Sequence, residues 1–172
     1  MGLGGNLHDS EQAIYLTLFQ IEKFADILAL SSLYETEPQD FVQQNRFQNA
    51  VVVIKTDLDP STLLSRVLKT ERVVGRIRSS DGILKGPRLI DIDILLFGTL
   101  IVDTNDLVIP HPAMKQRRFV LEPLFEILPE LIDHVSGRPF ERFLEMTKSQ
   151  GIYSTRPLNY NAQSHERRRS TT

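Results

Sequence analysis

Lys85-Gly86-Pro87-Arg88-Leu89-Ile90-Asp91-Ile92-Asp93-Ile94-Leu95-Leu96-Phe97 sets two acids inside the most hydrophobic run of the chain. A strand turns successive side chains to opposite faces, so Asp91, Asp93 and Leu95 share one face while Ile90, Ile92, Ile94 and Leu96 line the other. One face therefore packs and the other presents carboxylates. At i and i+2 these stand roughly 6.6 Å apart by strand rise, and their repulsion is relieved by divalent cations held between them. Oxygen donors favour magnesium, manganese or calcium over zinc. Gly86 and Pro87 make a turn into the strand, leaving Arg88 near both acids and within reach of phosphate oxygens. The competing reading is the wet face of an edge strand, but aspartate is a poor strand former and such faces usually carry Thr, Lys or Glu.

A basic segment leads into this strand. Arg76, Arg78, Lys85 and Arg88 lie between residues 76 and 88, where Asp81 is the only acid, and Ser79-Ser80-Asp81-Gly82 marks a loop. A charge run is commonly a solvated face. Placed beside two carboxylates, it is also how a phosphate-metal site is assembled, with arginines on phosphate oxygens and acids on the metal. The preceding helix starts at Asp59-Pro60-Ser61, an N-cap followed by proline, buries Leu63, Leu64, Val67 and Val74, and stops at Gly75.

Toward the N-terminus, Gly4-Gly5-Asn6 either lets backbone N–H groups approach a ligand or forms a loose end, and taken alone it reads as the loose end. Asp9 or Ser10 caps a helix whose apolar positions Ile14, Leu18, Ile21, Ala25 and Leu28 recur at helical spacing. Residues 27–35 alternate as one strand, 37–45 form a polar loop, and 47–56 form a buried strand. On that strand Phe47 and Asn49 share a face: a packed Phe beside an exposed Asn, or a pair that stacks on and hydrogen-bonds a flat heterocycle. Thr99 to Val102 reads as a hairpin return, and Pro110 and Pro112 fix the backbone around His111, a turn histidine or a phosphate ligand. Arg117 and Arg118 open a helical segment interrupted at Pro123 and Pro129, and a last short helix spans 140–147.

The chain of 172 residues suits one domain, residues 1–150, followed by a polar, disordered tail over 151–172. With 20 basic and 22 acidic residues the net charge is −2, giving no global attraction to nucleic acid or membranes. No cysteine is present, which excludes disulfides, thiolate metal sites and cysteine nucleophiles and points to the cytoplasm. No apolar run approaches the ~20 residues that span a bilayer.

Together these residues resemble one family, the 6-hydroxymethyl-7,8-dihydropterin pyrophosphokinases of folate biosynthesis. The resemblance covers roughly residues 2–131 and rests on Gly86-Pro87-Arg88-x-x-Asp91-x-Asp93. Supporting it are Gly4-Gly5-Asn6-Leu7, Leu33-Tyr34-Glu35-Thr36-Glu37-Pro38, Phe47-Gln48-Asn49-Ala50, Glu71 with Gly75-Arg76-Ile77-Arg78, and Pro110-His111-Pro112-x-Met114-x-x-Arg117-x-Phe119. It implies an α+β, ferredoxin-like antiparallel sheet flanked by helices on one face. It also implies transfer of pyrophosphate from ATP to the pterin hydroxymethyl oxygen, releasing AMP, by a monomer. Asp91 and Asp93 would hold two Mg2+ ions, with Arg76 and Arg88 as further catalytic groups. Glu71, Arg78, Lys85, Arg88, His111 and Arg117 would contact ATP, while Asn6, Thr36, Phe47, Asn49 and Phe119 would form the pterin pocket. Two departures stand out: only Met1 to Leu3 precede the glycine turn, so the first strand is expected to be truncated, and Lys85 replaces an aromatic. The rival readings are a non-catalytic pterin- or nucleotide-binding module and a metal-dependent phosphoesterase using Asp91 and Asp93.

Overall fold

The alternating run at Phe47–Lys55 becomes the strand on which the other elements hang. The computed structural model describes residues 1–38, 44–75 and 87–160. Its elements are β1 (Gly2–Gly5), α1 (Ser10–Ile21), β2 (Asp26–Leu30), β3 (Leu33–Thr36), β4 (Phe47–Lys55), α2 (Pro60–Val74), β5 (Asp91–Asp93), β6 (Val102–Asp103), β7 (Val108–Ile109), a 3-10 turn at Met114–Gln116, α3 (Arg118–Ile127), α4 (Phe140–Met146) and β8 (Ile152–Arg156). The main sheet is antiparallel, ordered β5-β1-β4-β3-β8, with β2 paired to the far half of β4. β6 and β7 form a separate hairpin.

β4 is buried on both faces because its residues alternate between two cores. Ala50 and Val52 join Leu3, Ile90, Ile92 and Ile94 under Ile14, Leu18 and Ile21 of α1 and Leu63, Val67 and Val74 of α2. Val51 and Leu95 point the other way, into Val120, Leu121 and Leu124 of α3 and Phe140 and Leu144 of α4. Each such side chain contributes about 1.5–3 kcal/mol when taken out of water. Helices thus cover both faces, not the one face expected, because the second face of β4 also presents apolar surface. Leu96, expected on the isoleucine face, packs with the second cluster, since the regular strand ends at Asp93.

Local signals carry the helices. Asp59 accepts hydrogen bonds from the Ser61 and Thr62 N–H groups, both at 3.0 Å, and Gly75 closes α2 at φ 114°, a left-handed conformation that favours glycine. In α1, Asp9 occupies the N-cap position without a side-chain cap bond. Leu28 belongs to β2, where a register shift between Ile27 and Ala29 leaves it 62 % exposed. The single strand expected over 27–35 is two, divided at Ser31, whose hydroxyl accepts the Val51 N–H at 2.9 Å in place of a ladder bond.

Three further expectations are corrected. The glycine-rich start is not loose: Gly2–Gly5 forms a four-residue strand paired on both edges, with Leu3 2 % exposed. α3 runs through Pro123 to Ile127, because proline removes one backbone bond while Val120, Leu121 and Leu124 keep the helix buried. Residues 152–156 are not tail but strand β8, whose backbone completes the open edge of β3. Residues 161–172 lie outside the described residues.

Candidate active site

The site is built around a strand that contributes no side chains on one face. In register, Gly2 lies between Val51 of β4 and Asp93 of β5, and Gly4 lies between Asn49 and Asp91. Bare backbone therefore separates the acids from the Asn49 amide, and a cleft of about 690 Å³, open to solvent, lies above it. A Cβ on Gly4 would stand 2.8 Å from Asn49 Oδ1, and one on Gly5 would strike the Leu89 backbone carbonyl. These close approaches, rather than a turn or a flexible end, are what the glycines serve.

Asp91 and Asp93 lie on an edge strand, yet they face the cleft rather than open solvent. Burial, then the neighbouring Asp91, raises the pKa of Asp93; His111, Arg117 and Arg88 pull against that rise. Such a carboxylate gains by binding a cation. Among the described residues no cluster of three or more His, Asp or Glu side chains could hold a metal alone. A pair of carboxylates suits magnesium, which takes one or two protein carboxylates and completes its shell with phosphate and water. Arg88 Nε lies 3.2 Å from Asp91 Oδ2 as an ion pair, but is buried without an aligned hydrogen-bond acceptor. Its guanidinium also sits 5.5 Å from the Phe47 ring centroid, so it borders both the acids and the aromatic wall.

Across β1, Asn49 Nδ2 donates to Thr36 Oγ1 at 2.8 Å, with both residues buried. This bond fixes the amide plane beside Phe47. Phe119, at the start of α3, lines the cleft too, with the Arg117 guanidinium 5.6 Å from its centroid. An amide edge between two aromatic side chains is suited to a flat, hydrogen-bonding heterocycle. His111 is pinned by its backbone N–H to Leu95 O at 2.9 Å, and its Nδ1 accepts the Ala113 N–H at 3.2 Å. The proton of the neutral ring therefore sits on Nε2. Burial lowers its pKa, opposed by Asp93, so the ring is a neutral donor near pH 7.

Arg88, Asp91, Asp93, Arg117, Thr36, Phe47, Asn49 and Phe119 thus converge on one cleft. Two expected site residues stand behind it. Asn6 is 3 % exposed and grips the Arg88 backbone from both sides: its N–H donates to Arg88 O and its Oδ1 accepts the Arg88 N–H, both at 2.9 Å. Its Nδ2 reaches Gln44 Oε1 at 3.0 Å. Glu71, 2 % exposed on α2, accepts the Ile92 N–H at 2.9 Å and so covers the open edge of β5 between the two acids. Arg76, Arg78 and Lys85 lie outside the described residues. The sequence reading missed Gly2 and Gly4 as the floor and Glu37 and Gln44 as lining; the i, i+2 glycine spacing opposite Asp-x-Asp was the available signal.

A protein-family model described as 7,8-dihydro-6-hydroxymethylpterin-pyrophosphokinase (HPPK) matches residues 1–129. The chain is 37% identical over 154 residues to the "Folic acid synthesis protein fol1" of Schizosaccharomyces pombe, covering 88% of this chain and 21% of that one. It is 37% identical over 143 residues to the "2-amino-4-hydroxy-6-hydroxymethyldihydropteridine pyrophosphokinase" of Aquifex aeolicus, covering 83% of this chain and 88% of that one. It therefore spans about a fifth of the fungal relative and most of the bacterial one. In fold it is similar to a Plasmodium falciparum HPPK-DHPS crystal structure with pteroate, at TM-score 0.70 and 17% identity, covering 86% of this chain and 44% of that one.

Proposed function

Because the chain belongs to the 7,8-dihydro-6-hydroxymethylpterin-pyrophosphokinase family, we propose that it transfers pyrophosphate from ATP to 6-hydroxymethyl-7,8-dihydropterin in folate biosynthesis. The supporting observation is the acid pair and the amide–aromatic pair facing one cleft across a glycine floor. Asp91 and Asp93 would hold two Mg2+ ions. When bound, these would neutralise the triphosphate and the charge that develops on it.

The chain's own residues would do the rest. Phe47 and Phe119 would hold the pterin ring, with Asn49 and Thr36 fixing its edge, so that the hydroxymethyl oxygen points across β1 toward the acids. Arg88, half-buried with its Nε lacking an aligned acceptor, would take a phosphate oxygen; Arg117 in the cleft and neutral His111 beside Asp93 would supply two more donors. Arg76, Arg78 and Lys85 would add contacts from the basic segment. The hydroxymethyl oxygen attacks the β-phosphorus, the bond to the α-phosphate oxygen breaks, AMP leaves, and the hydroxyl proton passes to solvent. Positioning and charge neutralisation account for such a reaction without a dedicated base.

Incubation with ATP, Mg2+ and the pterin should release AMP only when pterin is present, with one pterin diphosphate per AMP. ADP formation, or phosphate release without pterin, would overturn the reading. Binding of both substrates without AMP would mark a non-catalytic module. Among the described residues no helix is long and apolar enough to cross a membrane. We place the protein in the cytoplasm as a monomer.

A further inference from the structure

The strand that follows the family-matched residues 1–129 does more than close a sheet edge. Just before it, the corner Gln150–Gly151 touches both walls of the cleft. On one side the Gly151 N–H donates to Glu37 Oε1 at 2.7 Å, directly after Thr36. A side chain at Gly151 would be tight: a Cβ would stand 3.0 Å from Glu37 Oε2 and 3.1 Å from its Cδ, so the Glu37 carboxylate would have to give by a few tenths of an ångström. On the other side Gln150 Oε1 accepts the Arg118 N–H at 2.7 Å, and Gln150 Nε2 donates to Gln116 O at 2.7 Å. The Arg118 guanidinium in turn donates to the carbonyls of Lys148 and Gln150, both at 3.0 Å. These bonds grip the start of α3 on either side of Arg117 and next to Phe119.

The corner is itself held. β8 pairs with β3, Ser154 Oγ donates to Glu35 Oε2 at 3.0 Å, Arg156 meets Glu11 of α1 at 2.5 Å, and the Tyr160 hydroxyl donates to Glu22 at 2.7 Å. An anchored element with a bond to each of two facing walls sets their separation. A flat ring between those walls is sensitive to that separation, because dispersion contacts fall steeply with a gap of an ångström.

We propose that Gln150 and Gly151 are positioning residues that set the spacing of the Thr36–Glu37 and Phe119 walls, and thereby the affinity for the pterin ring. This rests on the proposed pterin reading. Neither residue lines the cleft itself; because Gln150 also flanks Arg117, the phosphate contacts feel the corner too, but less than the ring that both walls touch.

The test uses the full chain with Gly151→Ala, Gln150→Ala and Gln150→Glu, the last keeping an acceptor for the Arg118 N–H. Pterin dissociation constants are measured by fluorescence titration, KM for each substrate and kcat by AMP release, and folding by thermal melting. Gln150→Ala should weaken pterin binding roughly 10-fold, the loss of about one well-placed hydrogen bond, and Gly151→Ala, which keeps its N–H but makes Glu37 give way, should weaken it by a smaller factor. KM for ATP and kcat at saturating pterin should stay within about 3-fold, and Gln150→Glu, which keeps the Arg118 acceptor but sets a carboxylate oxygen against the Gln116 carbonyl, should still lose pterin affinity. Folded alanine variants that bind pterin like the parent would overturn the proposal, as would equal losses for both substrates. If the parent protein itself bound no pterin, the functional reading would fail and the corner's role with it; a parent that turns over pterin beside unaffected variants sinks the corner alone.

Discussion

Gly4→Ala tests whether the floor of the cleft is bare by necessity. A methyl group there would stand 2.8 Å from Asn49 Oδ1, inside any tolerable contact. Asn49 must swing away, which breaks its 2.8 Å bond to Thr36 and leaves two buried polar groups unpaired. That costs about 1–3 kcal/mol. Against it, alanine in an extended strand is better than glycine by about 0.5–1 kcal/mol. The net loss of roughly 0–2.5 kcal/mol corresponds to a drop in Tm of at most ~10 °C for a chain of this size. Pterin affinity carries the unreduced cost, because the displaced amide no longer meets the ring edge: about 5- to 150-fold in Kd. Thermal melting, pterin fluorescence titration and titration with a non-hydrolysable ATP analogue separate these effects. A folded variant with parental pterin affinity, or one that loses nucleotide and pterin together, would refute the assignment of Asn49 and Gly4 to the pterin wall.

Asp93→Asn should stabilise the metal-free protein near neutral pH while abolishing turnover. At roughly 6.6 Å and an effective dielectric of ~20 the repulsion between the two acids is about 2.5 kcal/mol, or several degrees in Tm. Because burial and Asp91 raise the pKa of Asp93, the native state holds that proton more tightly than the unfolded chain. Metal-free stability should therefore fall as pH rises through the carboxylate range, a slope absent from Asp93→Asn. Mg2+ should raise the parent's Tm and leave the variant's unmoved; equal slopes in the two proteins would contradict the account. Arg88→Ala should lower kcat about 100-fold or more with a smaller change in KM for ATP, if its unmet Nε tightens on phosphate mainly in the transition state, whereas a pure KM rise would oppose that. Glu71→Ala should lower Tm by roughly 3–10 °C, because the Ile92 N–H loses its acceptor, and Glu71→Gln should lose less; an unchanged melting curve would show that the β5 edge does not need it.

Much of this was legible because short-range rules dominate where the chain is regular. Asp59, Pro60 and Gly75 bracket α2 by capping chemistry alone, and the alternation around Asp91 and Asp93 assigns their faces correctly. What was missed depends on partners distant in sequence. Gly2–Gly5 has no strand propensity of its own and becomes a strand through pairing with residues more than forty positions away. Residues 152–156 look like polar tail because they form an edge strand, exposed along most of its length, and its register is specified by β3. The division at Ser31 rests on a hydroxyl replacing a ladder carbonyl, which no periodicity reveals. In the site, residue types pointed to Phe47 and Asn49 but not to what orients them; Asn6 and Glu71 were recognised as important and turned out to hold the Arg88 and Ile92 backbones.

Three glycines in a central strand cost about 0.5–1 kcal/mol each relative to alanine, some 1.5–3 kcal/mol in all. The strand survives because its two faces have different tasks. Toward α1 and α2 it buries Leu3 to 2 % exposure, worth about 1.5–3 kcal/mol, and it bonds to neighbours on both edges. Toward the cleft it presents only backbone, so the acids of β5 and the amide of β4 face the same space with nothing between them. On the proposed reading, any side chain at Gly4 would stand between the phosphates near the acids and the pterin hydroxymethyl oxygen that attacks them. The glycines of β1 are therefore a requirement of the chemistry that the Leu3 face makes affordable, and substitutions at Gly4 should lose function before they lose the fold, whereas Gly5→Ala, which strikes the Leu89 carbonyl, should lose both together.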